Sequence, residues 1–400
     1  MNKETHADVA KELYNKIKSS CGFFNKRGRV RMLKLRGQYS MGFVIPVESL
    51  IKTWPELSSI DFETKIDTSF DEVCGELLCW KYIPVKSEPK MHCDVRGGRW
   101  KKLMKKTQAR FDKLIEGQFE FHYDTKQIEN DISILKPDTS VTISVKVHGT
   151  SVILSNILCN RKLSFWEKVK KFFGSKVQLT EYSNIYSSRK VIKNRYLMNS
   201  GRDFYKTDIW GDVNNVFAGF LTPGMTVYGE IVGYLTGSSQ FIQKNHDYGC
   251  QPGQWKFMPY RITLTAQDGS KTEFSVDEVL DWVTYIIEEF GENQAYDQYK
   301  IKDVLMPMNI LYVGELGSMY PIDQEYFFAK NLLQTMKEDT KWLLMEKNEP
   351  MCKNKVPREG IVIRINDDKV PRAWKLKSKA HYELEAKQHD NDEVDIEENA

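Results

Sequence analysis

Lys146 is the residue of this chain best placed to do covalent chemistry. It closes an alternating run, Val141-Thr142-Ile143-Ser144-Val145, that reads as a β-strand. Val147-His148-Gly149-Thr150-Ser151 follow it. A lysine amine at a strand end can attack phosphorus, and the glycine lets the backbone turn tightly beside a phosphate. Two glutamates lie within apolar strand patterns: Glu230 in Val227–Gly233 and Glu359 in Arg358–Arg364. A last strand, Ala373-Trp374-Lys375-Leu376-Lys377, puts two lysines on one face, because side chains two residues apart point the same way. Each segment alone would be an ordinary strand with a solvent-facing charge.

Taken in this order, over residues 126–382, the four segments resemble the covalent nucleotidyltransferase superfamily of DNA ligases, RNA ligases and capping enzymes. DNA ligases and capping enzymes usually carry Asp where this chain has His148. The K-x-H-G-T form is similar to that of phage and kinetoplastid double-strand RNA ligases. The resemblance implies an ATP-dependent RNA ligase that joins 3′-hydroxyl and 5′-phosphate ends in three steps. Lys146 takes AMP from ATP, the AMP passes to the RNA 5′-phosphate, and the 3′-hydroxyl then displaces it. Implied cofactors are ATP and Mg2+ or Mn2+, and the implied partner is RNA.

The same resemblance supplies roles for further residues. Lys375 and Lys377 would serve the phosphates, and Glu230 and Glu359 the metal and the nucleotide. His148 would act near the leaving group, where a histidine cannot fully replace a carboxylate beside a metal. Tyr260, in Lys256–Ile262, is the candidate for stacking on adenine, with Arg261 in place of the family's usual Asp. Phe257 reads as core. Arg189, in Ser188-Arg189-Lys190, is the candidate for ribose and phosphate. The chemistry needs such a set. A free lysine is protonated at neutral pH and must lose its proton to attack. Nearby cations favour the neutral amine and stabilise charge gathering on the phosphate oxygens.

The elements that must position these residues suggest an α+β protein. Its 400 residues, 41% hydrophobic, suffice for two cores. Residues 1–91 are expected to form an N-terminal β-barrel (OB-like) module. It would open with an amphipathic helix at 5–18, continue as a hairpin or meander over 29–46, and carry a helical turn within 70–84. Leu35-Arg36-Gly37-Gln38-Tyr39-Ser40-Met41-Gly42 and Lys81-Tyr82-Ile83-Pro84 resemble the N-terminal OB module of a second group of phage, bacterial and protist RNA ligases. Residues 92–125 read as a basic helical linker, with eight Lys and Arg between Arg96 and Lys113 and interleaved aromatics. Residues 126–385 would be the nucleotidyltransferase domain, of ATP-grasp-like antiparallel sheets with helices. Helices are expected at 164–176, with a Ser cap, at 276–290, ending before Gly291, and at 323–346. The first is basic and amphipathic. Such a helix can lie on a membrane surface, but between catalytic segments it is expected to be a docked insertion. Residues 386–400 read as an acidic disordered tail.

A net charge of +3 hides this basic body and acidic end. The seven cysteines, including Cys74, Cys79 and Cys93, make no paired C-x-x-C, so reduced thiols are expected rather than a zinc site. The start is polar and no long apolar span occurs, so the expectation is a cytoplasmic monomer without membrane contact, in host cytoplasm if phage-encoded. Two enzymatic alternatives are a DNA nick ligase and a capping enzyme. These generally carry an OB domain after the final lysine motif, whereas residues 378–400 are few and largely acidic. A non-catalytic RNA-binding protein is the alternative of another class, disfavoured by the presence of Lys146, Glu230, Glu359, Lys375 and Lys377 together.

Overall fold

The computed structural model describes residues 46–51, 54–63, 113–123, 125–193, 207–320, 325–366 and 372–390, with Tyr205 and short strands at 33–35, 38–40, 72–73 and 76–77. The chain divides into two compact units, Met1–Lys86 with Lys379–Asp395, and Ser87–Ser378 with Ile396–Ala400.

In the first unit β1 (Leu33–Leu35) and β2 (Gln38–Ser40) pair antiparallel. Following α1 (Val47–Ile51), Trp54 and Leu57 bury against Leu50, Ile60 and Phe62. β3 (Glu72–Val73) and β4 (Glu76–Leu77) form a second antiparallel pair where a helical turn was expected. Only two residues separate these strands in sequence and the second is a glycine, a composition that favours antiparallel pairing over a helical turn. Most of the expected barrel, and the expected helix at 5–18, lie outside the described residues. A helix over Lys379–Asp390 runs into the expected disordered tail, with Glu383 and Lys387 paired at 2.9 Å one turn apart. Residues 391–400 lie outside the described residues.

The second unit contains β5 (Lys126–Gln127), β6 (Ser140–Lys146), β7 (Thr150–Asn160), α2 (Phe165–Phe172), β8 (Thr180–Ser187), α3 (Ile209–Phe217) and β9 (Met225–Gly233). β10 (Trp255–Thr265), β11 (Lys271–Glu273), α4 (Val276–Phe290), β12 (Ile310–Glu315), α5 (Glu325–Glu338), β13 (Gly360–Ile365) and β14 (Ala373–Lys377) follow. The strands make two five-stranded sheets, ordered β11-β10-β9-β7-β8 and β12-β6-β13-β14-β5. Neighbours are antiparallel except β14 and β5, which are parallel.

Each sheet buries one apolar face under helices. Val227, Phe257 and Ile262 pack with Phe217 of α3 and Val283 and Ile286 of α4. Ile143, Ile361, Ile363 and Leu376 pack with Leu332 and Met336 of α5. α4 begins at a reciprocal Ser275–Glu278 capping box and ends at Gly291, as its sequence predicts. α5 is shorter than expected. Asp339 stops it by accepting the Trp342 and Leu344 backbone N–H groups at 2.9 and 3.2 Å. α2 has its expected Ser164 cap but buries no residue, so among the described residues the expected docking is not seen. Of the expected helical linker, residues 92–112 lie outside the described residues. Residues 113–123 are turn and extended chain, bridged to β7 through Leu114 and Cys159. Among the described residues Cys159, Cys250 and Cys352 are free thiols.

The connection that matters most is short. Val147-His148-Gly149 carries the chain from the end of β6 in one sheet to the start of β7 in the other. Trp210 of α3 supports the far side, fully buried and donating its indole N–H to the Ser151 carbonyl at 3.0 Å. Trp210→Ala is expected to cost about 3–5 kcal/mol of stability in urea denaturation. A cost below about 1 kcal/mol would mean that the crossing does not rest on this ring.

Candidate active site

Strand pairing decides which side chains meet. Lys146 sits opposite Gly360, and Gly360 opposite Lys377. Two residues along, Ser144, Val362 and Lys375 form the next row on that face. Directly opposed residues share a face, so Lys146, Lys375 and Lys377 lie on one side of the sheet, the lysines of β14 about 7 Å apart along the strand. Gly360, at φ 153°, has no room for a side chain, because a Cβ would lie 2.1 Å from the Leu376 carbonyl oxygen. Glu359 precedes it and turns its carboxylate to the cations. Lys146 Nζ is 2.9 Å from Oε1, Lys377 Nζ 3.6 Å from Oε1, and His148 Nδ1 3.3 Å from Oε2.

Glu359 is fully buried. Burial alone would raise its pKa, but Lys146, His148 and Lys377 pull it well below the usual carboxylate range. Its backbone is fixed as well: Ser378 donates its N–H to the Glu359 carbonyl at 2.8 Å. Arg358 next to it is buried, donates to Glu349 at 2.9 Å and gives a second guanidinium N–H to the Leu343 carbonyl at 2.6 Å.

A loop from β9 to β10 braces the crossing. The Tyr248 hydroxyl accepts the His148 backbone N–H at 2.6 Å, and Gln243 Nε2 donates to the Gly149 carbonyl at 2.8 Å. The His246 ring packs edge-on against His148, centroids 4.8 Å apart. Asp247 ties this loop down by accepting backbone N–H groups of Gly249, Lys353 and Asn354. Burial opposes its charge, and those three donors still lower its pKa. Gly149 is required by contact. A Cβ there would fall 2.3 Å from the Ile231 carbonyl oxygen and 2.7 Å from Glu230 Cγ.

A cleft of about 710 Å3, counted out to open solvent, lies beside Lys146. Arg189, Glu230 and Tyr260 line it too, as do Ser151, Met258 and Val362. Glu230 is buried and accepts the Ser151 hydroxyl at 3.2 Å. Tyr260 stands at a β-bulge, since the β9–β10 register skips between Pro259 and Arg261. The bulge points an extra residue out of the ladder and into the cleft. Arg261 has a different role from an acidic residue. Its guanidinium bonds Glu273 at 2.7 and 2.9 Å and lies between Tyr228 and Tyr123, 4.4 and 4.8 Å from their ring centroids. Burial pushes the Tyr228 hydroxyl up to about 12.

The site residues expected from sequence therefore fall into two touching groups. Lys146, His148, Glu359 and Lys377 share one carboxylate, while Lys146, Arg189, Glu230 and Tyr260 share one cleft. Lys375 stands a row away, opposite the cleft residue Val362. Sequence reasoning missed the Gln243, His246 and Tyr248 brace and the cleft residues His122, Tyr123 and Arg364. His122 and Tyr123 belong to the segment read as linker. That segment is strapped to the second unit through Gln118 to the Ala266 carbonyl at 2.9 Å and Lys271 to Glu120 at 2.6 Å. Arg364 was recoverable, because residues 360, 362 and 364 of one strand share a face.

No family model and no curated protein matches this sequence. Among solved structures the chain is similar to Naegleria gruberi RNA ligase. An alanine mutant of that enzyme with ATP and Mn superposes with a TM-score of 0.50 and 16% identity, over 96% of this chain and 83% of that one. A second alanine mutant with ATP and Mn gives 0.50 and 15%, over 94% and 82%. The chain shares the fold of an RNA ligase. At this identity the likeness is one of fold, and the chemistry must be argued from the side chains above.

Glu359 has a lower pKa folded than the ordinary value of about 4.3 that it takes unfolded. It therefore stabilises the fold above that value, and the stabilisation is lost as pH falls through the folded pKa. Glu359→Gln is expected to flatten the decline of stability below about pH 4. Denaturant titrations across that range check this, and parallel curves for wild type and variant would contradict it.

Proposed function

We propose that this chain is an ATP-dependent RNA ligase that seals 3′-hydroxyl and 5′-phosphate ends through lysyl–AMP and RNA–adenylate intermediates. The observation that carries the reading is Lys146 at the edge of a cleft lined also by Arg189, Glu230 and Tyr260, held by a buried glutamate that it shares with Lys377. The fold of Naegleria gruberi RNA ligase, solved with ATP and Mn, supports it. The Lys146 ammonium must first leave its ion pair and shed a proton. Its lone pair then attacks the α-phosphorus, an N–P bond forms, and the P–O bond to pyrophosphate breaks. The AMP next passes to the RNA 5′-phosphate, freeing Lys146, and attack by the 3′-hydroxyl on that phosphate releases AMP.

Other residues would hold the reactants. Tyr260 offers a ring to the base, and Arg189 donors to ribose or phosphate. Lys375 and Lys377 would face the phosphate oxygens as charge builds there. The donor set fits a hard divalent cation: Glu230 and Glu359 are buried carboxylates on either side of the Lys146–Ser151 crossing. Mg2+ or Mn2+ bound there would supply positive charge against the phosphates. His148 is a buried partner of Glu359 and so a positioning residue in this reading. Residues 1–91, as an OB-like module, and the basic stretch at 96–113 would bind RNA through phosphate contacts.

Incubated with ATP and Mg2+, the wild-type chain is expected to gain the mass of one AMP, and Lys146→Ala none. Lys375→Ala and Lys377→Ala should each slow adduct formation by about 10²–10³-fold, the usual effect of removing one charge-stabilising group. An adduct on Lys146→Ala would sink the assignment. Near-normal rates in both other variants would make them surface charges. End-labelled nicked duplexes with RNA or DNA on each side of the nick separate this reading from a DNA ligase. A chain that never acquires AMP yet binds RNA would be a binding protein instead.

A further inference from the structure

The insertion between β7 and β8 has no part in the site described above. Its helix α2 exposes Phe165, Trp166 and Phe172 at 72%, 73% and 85%, and Phe173 just after it at 77%. At 100° per residue these four, with Val169, fall within an arc of about 120°. Lys168 and Lys170 flank that arc, and Lys171 lies opposite it with Glu167. The one acidic side chain is neutralised, because Glu167 is taken up by the Ser164 capping box and by Arg161. From Arg161 to Leu179 the insertion carries six basic residues against that one acid. Lys162, Lys168, Lys170, Lys171 and Lys176 are exposed.

We infer that α2 is a docking surface for an anionic lipid bilayer. A short helix with an aromatic stripe, lysines along its borders and little net hydrophobicity lies in a membrane interface rather than across it. Its ring edges sink among headgroups while lysine stems reach to anionic lipid phosphates. The mounting suits a flat partner. The insertion joins Asn160 and Thr180, the last register pair of β7 and β8, so it crowns the tip of a strand pair. Thr150, next to the Lys146 crossing, is at the other end of β7. Ten residue steps put the two about 33 Å apart along the strand, so docking by α2 leaves the cleft open. A nucleic-acid strand is the less suited occupant. Phe165 and Trp166, and Phe172 and Phe173, pack edge to face within each pair, 5.6 and 5.5 Å between centroids. That makes a continuous apolar stripe rather than separate faces on which bases could stack.

The test is co-sedimentation of the full-length chain with vesicles of phosphatidylcholine alone and of equal parts phosphatidylcholine and phosphatidylglycerol. The chain is expected to pellet with the mixed vesicles and not with phosphatidylcholine alone, and added salt should weaken this. Trp166→Ser with Phe173→Ser, and separately Lys168→Glu with Lys170→Glu, should each lower vesicle affinity at least about tenfold. These side chains are exposed, so thermal unfolding should match the wild type and confirm that both variants fold. No pelleting with mixed vesicles at low salt would overturn the proposal, as would pelleting that both variants leave unchanged. If the variants spare the vesicles and weaken binding to a nicked RNA duplex, the helix is an RNA contact. If they only convert a dimer to monomer in light scattering, the stripe covers a second copy. Either result also rejects the lipid surface.

Discussion

A single buried negative charge organises the site around Lys146. Removing a carboxylate from water costs several kcal/mol unless partners replace the lost hydration. Glu359 finds them on three separate segments: Lys146 at the end of β6, His148 in the crossing, and Lys377 at the end of β14. The arrangement works in both directions. Without Glu359, two lysines and a histidine would face one another in a nearly dry space. Without the cations, the carboxylate could not stay ionised there. The strand ends are thus held in register by charge as well as by backbone ladders.

The second constraint is geometric. One of the links between the two sheets is only three residues long, and Lys146 stands beside it. Gly149 meets this demand by lacking a Cβ beside β9, and Tyr248 and Gln243 meet it by taking up backbone groups that the crossing leaves outside any ladder. Tyr248 does so from a left-handed backbone conformation, φ 45°. Such a conformation costs a tyrosine roughly 1–3 kcal/mol and persists only where its surroundings demand it. Those surroundings are the three backbone donors on Asp247 and the buried phenol ring itself.

Much of this was readable in the chain, for local reasons. Val141–Val145, Val227–Gly233, Arg358–Arg364 and Ala373–Lys377 alternate or run apolar, and Val276–Phe290 has a Ser cap and a terminal Gly. Order along the chain then brought Lys146, Glu230, Glu359 and Lys377 forward as a set. What stayed hidden depends on distance in sequence. Tyr248 lies one hundred residues from the His148 it holds, inside a loop with no periodicity. His122 and Tyr123 sit in a stretch whose basic composition suggested a linker, and only strapping to β10 and β11 makes them part of the cleft. The end of α5 at Glu338 turned on one aspartate whose side chain competes with the helix for N–H groups. The exposure of α2 had no local signature either, because an amphipathic pattern specifies a face and not what covers it.

The bulge at Tyr260 separates two kinds of selection. A residue in a ladder is judged by its neighbours across the strands, so changing it disturbs the sheet. Tyr260 falls at the skip in the β9–β10 register, and its ring lies 5.4 Å from that of His122 rather than across a strand. Its ring can be exchanged with little penalty to the ladder around it, while Arg261 keeps that ladder pinned to Glu273 next door. Descendants of this sequence could therefore change the wall of the cleft at Tyr260 while folding equally well, and that wall is free to evolve ahead of its frame.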